Sequence, residues 1–387
     1  MPLPLYLLAL AVFAMGTSEF MLAGLVPDIA ADLDVSVGTA GTLTTAFAAG
    51  MVVGAPSMAA LARNLPARAS LLGCVLVFLA SHAAGAVTSS FAVLFATRVV
   101  AALANAGFLA VALTTAAALV PPDRKGRALA VLLSGTTVAT IAGVPGGSLL
   151  GTLLDWRATF WAVAALCLPA AVGILAGVPA RTGPRVPDAG TPLRAELARL
   201  GDRLLLTVML LGALVNAATF ASFTFLAPVV TGTAGLGELW VTVALVLFGA
   251  GSLTGVTVAG RFSDRRPGAV VAVCAPALLL GWPALALLAD RPAALLPLVF
   301  AQGALSFAVG GTLITRVLYA ASGAPTMAGS YATAALNTGA AAGPLLAATA
   351  LGTPAGATGP LWVSGALVGV ALLVGRGPGS PVSRPAS

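Results

Sequence analysis

Two side chains in this sequence carry charge where their neighbours carry none. Glu19 sits in the apolar stretch that runs from Leu3 toward Pro27, and Arg98 in the run from Phe91 to Leu119. A carboxylate removed from water favours its neutral form, and so binds a proton near neutral pH. An arginine stays charged at any physiological pH and seeks a carboxylate or carbonyl partner. Together they have the chemistry of a proton site with a fixed counter-charge: paired and ionised in one state, separated and protonated in another. A permanent structural ion pair is the competing reading. Charges this deep in apolar sequence are costly, which makes Glu19 and Arg98 the first candidates for function.

The surrounding elements follow from composition. Of 387 residues, 59% are hydrophobic and 8% charged, against about 25% charged in soluble domains. So little polar surface implies lipid as the solvent. The net charge of +7 does not point to nucleic acid, because the basic residues fall in short loops and form no stripe with aromatics. Cys74, Cys167 and Cys274 stand singly, without metal or redox spacing. No metal and no cofactor is expected. The amino terminus lacks the basic start and small-residue cleavage site of a removable signal, and its apolar run is long enough to span.

A span needs about 20 mostly apolar residues. Twelve can be read: 4–26, 38–61, 69–88, 91–119, 127–151, 158–178, 204–230, 239–260, 269–289, 293–316, 328–351 and 359–375. Sixteen of the nineteen basic residues then fall in loops on one side. Arg157 and Arg291 fall on the other, and Arg98 is within a span. The basic side is cytoplasmic by the positive-inside rule, with both termini there. The expected fold is all-α and polytopic, in two pseudo-symmetric six-helix bundles. Its parts are a first bundle, 1–178, a cytoplasmic linker, 179–203, a second bundle, 204–375, and a tail, 376–387. Glu19 lies eight residues before Pro27, about 12 Å below the outer end, and Arg98 seven residues after Phe91, about 10 Å below it. The two charges share a level. Glu19 is the one carboxylate within a span.

The halves repeat at an offset of 201. Phe47, Ala49, Gly50 and Gly54 match Phe248, Ala250, Gly251 and Gly255, and Pro27 and Pro66 match Pro228 and Pro267. Parallel six-helix repeats about an axis normal to the membrane are one transporter plan, with the substrate near the midplane. At this offset Glu19 maps to Phe220. The first half therefore handles the proton and the second shapes the pocket. Asn216, Phe220 and Phe223 of span 7 and Tyr331 and Asn337 of span 11 are candidates to line it, or else pack against neighbouring helices.

Several motifs carry a resemblance. After span 8 the chain reads Gly260-Arg261-Phe262-Ser263-Asp264-Arg265-Arg266-Pro267, in which Asp264 and Arg265 can pair across an interface in one state and part in the other. The equivalent loop after span 2 has Arg63 in place of the acid. Span 5 holds Gly143-Val144-Pro145-Gly146-Gly147 and span 11 holds Gly339-Ala340-Ala341-Ala342-Gly343-Pro344. Span 1 holds Gly16-Thr17-Ser18-Glu19-Phe20, and span 4 joins Arg98 to Ala104-Asn105-Ala106-Gly107-Phe108. These stretches resemble the major facilitator superfamily along essentially the whole chain. More closely they resemble its twelve-span drug:proton antiporters. The span 4 stretch and Leu318–Pro325 are similar to actinobacterial chloramphenicol exporters.

The resemblance implies proton-driven efflux of a small amphipathic antibiotic, chloramphenicol first, by a monomer in the bacterial inner membrane. It implies coupling through Glu19 and Arg98, a cavity that includes Asn105, and gating and helix packing at Asp264, Arg265, Gly143, Pro145, Gly147, Gly339, Gly343 and Pro344. One titrating carboxylate suggests one proton per cycle, and a neutral or weakly charged substrate. Alternatives are export of a sugar or metabolite, a non-transporting sensor, and a membrane enzyme. An enzyme is disfavoured because one histidine, His82, and no nucleophile–base pair or phosphate loop are present.

Overall fold

A computed structural model describes residues 2–62, 65–121, 125–179, 193–263, 267–322, 324 and 327–376. Among these residues every regular element is helical. In chain order the helices are α1 (Leu3–Phe20), α2 (Val26–Asp32), α3 (Val37–Ala62), α4 (Ala67–Val87), α5 (Phe91–Ala118) and α6 (Lys125–Val138). Then come α7 (Val144–Leu153), α8 (Trp156–Gly177), α9 (Leu193–Ala198), α10 (Arg203–Thr224), α11 (Leu226–Pro228) and α12 (Leu239–Ser263). The last four are α13 (Pro267–Leu287), α14 (Pro292–Ala320), α15 (Ala328–Leu351) and α16 (Gly359–Gly375).

Among the described residues, eleven stretches are long and apolar enough to cross a bilayer. The twelfth crossing, read as one helix over 127–151, is two shorter helices, α6 and α7, joined by a π-helical turn at Ala139–Gly143. Pro145 accounts for the break. A proline ring clashes with the carbonyl four residues back and offers no N–H, and a wider turn relieves both problems. Span 1 is interrupted in a related way. After Phe20 the backbone tightens into a 3-10 turn at Met21–Gly24, then resumes as α2 with Pro27 at its start. Span 7 stops at Thr224, and after α11, which ends on Pro228, continues as a π turn at Val229–Thr233. The paired prolines thus mark paired interruptions.

The helices are apolar around most of their circumference, as a membrane span must be. Leu280, Leu373 and Val273 are each 70% exposed, a poor arrangement in water and the natural one in lipid. The described residues group into two compact units, Met1–Ser36 with Ala46–Pro187 and Val37–Thr45 with Asp188–Ser387. Within the first, α1 packs on α6 and α8, and α4 on α5 and α8. At the start of α8, the Arg157 Nη1 donates to Asp32 Oδ2 at 2.6 Å and the guanidinium lies over the Trp156 ring at 4.3 Å. Within the second, α12 packs on α14 and α10 on α15 and α16.

Glycines set the closest of these contacts, and they repeat. A Cβ at Gly50 would meet the Val99 carbonyl oxygen at 2.8 Å, and one at Gly54 would meet Leu103 Cα at 3.3 Å. In the second unit Gly251 faces the Phe300 oxygen and Gly255 the Ala304 oxygen, closer still. Phe300 and Ala304 are the offset-201 partners of Val99 and Leu103, as Gly251 and Gly255 are of Gly50 and Gly54. The repeat is therefore present in packing and not only in letters. Lipid gives helices little hydrophobic reason to associate, so close backbone approach carries the contact. Gly255→Val is expected to separate α12 from α14 and destabilise the fold by about 1–3 kcal/mol or more. Thermal unfolding in detergent checks this against Gly73→Val, at a glycine with open space around it.

Candidate functional site

The last turn of α1 presents Ser18 and then Glu19. Carbonyls in a helix's last turn lack an intrahelical partner, and the helix end carries partial negative charge, so a cation is welcome there. Arg98 of α5 supplies it. Its Nη1 donates to Ser18 Oγ at 2.7 Å and its Nη2 to the Ser18 carbonyl oxygen at 2.6 Å. The guanidinium also lies over the Phe47 ring at 4.6 Å. Arg98 is 1% exposed and Ser18 fully buried. The Glu19 and Arg98 charges act on each other. Yet the guanidinium bonds Ser18 twice, through Nη1 and Nη2, and rests on that residue rather than on the neighbouring carboxylate.

The Ser18 hydroxyl has a second partner. His82 of α4 places Nε2 2.7 Å from Ser18 Oγ and Nδ1 2.8 Å from the Phe78 carbonyl oxygen. Because a carbonyl only accepts, Nδ1 carries a hydrogen. Ser18 then accepts from Arg98 and can donate its own hydrogen to Nε2. Phe78 and Phe160 enclose the imidazole, with ring centroids 4.2 and 5.7 Å away. His82 is thus part of a buried polar line from α5 through α1 to α4, where sequence reasoning had assigned it no role. A signal existed. His82 lies five residues before the end of α4 at Val87, at a depth of about 8 Å, near the level of Glu19 and Arg98.

The other first-half residues pack. Asn105 is 2% exposed, with Nδ2 3.6 Å from Met51 Sδ. Gly143, in the π turn, faces the Thr17 side chain closely, and Gly147 lies against Thr159, whose hydroxyl donates to the Gly147 oxygen at 2.7 Å. Pro145 is buried at the start of α7.

In the second unit the residues read as pocket candidates separate into three groups. Asn216 Nδ2 donates to the Leu336 oxygen at 2.7 Å, tying α10 to α15. Asn337 bonds back to Thr333 of its own helix at 3.0 Å. Tyr331, 3% exposed, donates its hydroxyl to the Glu196 backbone oxygen of α9 at 2.7 Å. Meanwhile the Glu196 carboxylate accepts from Met327 N at 2.9 Å and caps the start of α15. Tyr331 therefore holds the linker helix. Phe220 and Phe223 belong to an aromatic run that continues through Phe248 and Phe307, with successive centroids 6.3, 4.8 and 6.2 Å apart. Gly339 and Gly343 receive the Ala213 and Ala217 oxygens of α10 at close range, and Pro344 is buried in α15. Asp264 and Arg265 lie outside the described residues.

The halves thus share a frame and differ in content. At offset 201, Ser18, Glu19, His82 and Arg98 become Thr219, Phe220, Pro283 and Val299. Phe47, which carries the guanidinium, corresponds to Phe248, which carries other rings.

Comparison with known proteins agrees with this architecture. The chain is 76% identical to the "Chloramphenicol resistance protein" of Streptomyces lividans over 374 residues, 97% of this chain and 95% of that one. It is 31% identical to the "Inner membrane transport protein YdhP" of Escherichia coli K12, over 88% and 86% of the two chains. Among solved structures a D-xylose–proton symporter matches with TM-score 0.73 at 16% identity, over 98% and 99% of the chains. A bacterial Spinster homologue in an inward-facing, unoccupied conformation matches with 0.72 at 15%, over 97% and 96%. A model of the Major Facilitator Superfamily matches residues 8–335. The long apolar helices, the twofold repeat and these matches together establish that the chain belongs to the Major Facilitator Superfamily, as a multi-pass membrane transporter.

Proposed function

We propose that this transporter exports a small, neutral, amphipathic antibiotic of the chloramphenicol type from a bacterium, across the inner membrane, in exchange for one proton. The observation that carries the reading is the buried Arg98, bonded to Ser18 one residue from Glu19, in a protein 76% identical to one named for chloramphenicol resistance. A charge kept in so apolar an interior is expensive, and one that stands beside a titratable group and is not bonded to it can move. When Glu19 is protonated, Arg98 rests on Ser18. When Glu19 releases its proton, the guanidinium turns to the carboxylate. That exchange of partners links proton binding to alternating access. With the basic loops read as cytoplasmic, both termini lie there too, the proton enters from outside while the drug leaves, and a monomer suffices. The aromatic run Phe220–Phe223–Phe248–Phe307 supplies ring surface for an apolar nitroaromatic substrate, whereas a sugar would call for more carboxamide and carboxylate groups.

The test uses purified protein in proteoliposomes with an imposed pH gradient. Chloramphenicol is expected to move against its own gradient while the pH gradient collapses faster than in empty vesicles. Drug movement with no effect on the pH gradient would overturn proton coupling, and no movement of chloramphenicol would overturn the substrate.

A further inference from the structure

The polar line through Ser18 contains one member that the change of partner at Arg98, from Ser18 to Glu19, does not itself need. His82 touches neither charged group. It touches the hydroxyl that holds one of them. We propose that His82 is a positioning residue: through the Ser18 hydroxyl it holds Arg98 off the Glu19 carboxylate, and so sets the pH range over which this transporter exchanges its proton. The inference rests on the proton-coupled reading above.

The geometry supplies the argument. A serine hydroxyl has one hydrogen and two lone pairs. With His82 Nε2 at 2.7 Å taking the hydrogen, the lone pairs of Ser18 are left for Arg98 Nη1, also at 2.7 Å. The imidazole is fixed for this task from three directions. Nδ1 is anchored on the Phe78 oxygen, Phe78 covers one side and Phe160 of α8 another. Among the described residues, the charged and titratable groups on the helices packed around it are few. Arg98 is the cation presented by α5 and Glu19 the acid presented by α1. On α8, Arg157 is tied to Asp32 at the helix start and Cys167 bonds to its own helix at Val163. Without His82, the hydroxyl hydrogen turns to another acceptor, such as the carbonyl four residues back in α1. To reach that carbonyl the Ser18 side chain turns about χ1, which carries Oγ away from Arg98 Nη1; Nη2 keeps the Ser18 carbonyl oxygen, and the freed Nη1 has the Glu19 charge within its reach. A guanidinium resting on the carboxylate favours the ionised form, so the proton binds only in more acidic solution.

His82→Leu removes the acceptor and keeps an apolar body. The midpoint of the pH dependence of gradient-driven chloramphenicol efflux is expected to move acidic by about one unit. Ser18→Ala removes the same bond from the other side and should shift it equally. The double variant should shift no further than either single one, because both break one interaction. His82→Gln places an amide oxygen near the Nε2 position without a titrating group, and should restore the wild-type midpoint. Drug-for-drug exchange at fixed pH serves as the readout of intact folding. Should His82→Leu fail to assemble, Ser18→Ala alone decides. An unshifted midpoint in the variants that assemble overturns the inference while leaving proton coupling intact. So does a His82→Gln profile displaced like that of His82→Leu, which would make titration of the ring the cause. A wild-type rate that ignores pH overturns proton coupling, and this inference with it.

Discussion

Vesicles carrying Glu19→Gln are expected to equilibrate chloramphenicol but never to concentrate it. Glutamine keeps the length and shape of the protonated side chain and removes its ability to release a proton and become negative. At one proton per drug molecule, each pH unit across the membrane is worth about 1.4 kcal/mol, a tenfold drug gradient. Each 100 mV adds about 2.3 kcal/mol, because a neutral drug leaves while a charge enters. The variant should lose all of this driving force and retain exchange of labelled for unlabelled drug. Its exchange rate should no longer vary with pH, since the titrating group is gone. The decisive measurement is the steady-state ratio of drug across the membrane at a fixed pH gradient. A ratio in Glu19→Gln equal to that of the wild type would place the proton site elsewhere.

Arg98→Met should give a folded and inert protein. The arginine is 1% exposed, and its removal is costly only where it strands an uncompensated buried charge, which a protonated Glu19 does not carry. Ser18 still has His82 to receive its hydrogen, so the substitution strands no donor. What disappears is the cation that, on the proposed mechanism, exchanges partners. Two hydrogen bonds to a charged group are worth about 1.5–3 kcal/mol each. Losing one such contact along the cycle corresponds to roughly tenfold to hundredfold in rate. Transport is therefore expected to fall about a hundredfold while the thermal unfolding midpoint holds or rises. Arg98→Lys should fall between, because a single ammonium point charge does not reproduce the planar fork that meets both the hydroxyl and the carbonyl of Ser18. A collapsed unfolding midpoint with normal transport in the surviving fraction would mark Arg98 as structural.

Much of this architecture was open to reading because it depends on few physical constraints. Membrane thickness fixes span length, and loop arginines count the crossings. Depth along a helix follows from residue number, which put Glu19 and Arg98 at one level before any contact was known. The repeat was legible because backbone contact demands glycine at Gly50, Gly54, Gly251 and Gly255. Other features were less accessible for equally physical reasons. The π turn at Ala139–Gly143 comes from one proline, and membrane helices elsewhere absorb prolines such as Pro56 and Pro169 without changing their winding. Ser18 carries no charge to draw attention, although it is the residue that Arg98 holds. Tyr331 looked like a pocket residue because it is polar and in a span, but its hydroxyl reaches into α9, a piece of the linker. No periodicity could have paired residues 196 and 331.

The interlocked glycines of α12 and α14 have a mechanical consequence. Carbonyls of α14 sit in the gaps left by Gly251 and Gly255, and the Phe248 carbonyl of α12 sits in the gap left by Gly303. The two helices are keyed from both sides, so neither slides along the other without driving a carbonyl into a side chain. Sliding of one on the other is sterically opposed, so bending within the second unit meets less resistance where regular winding is already broken, at Phe225 and Val229–Thr233.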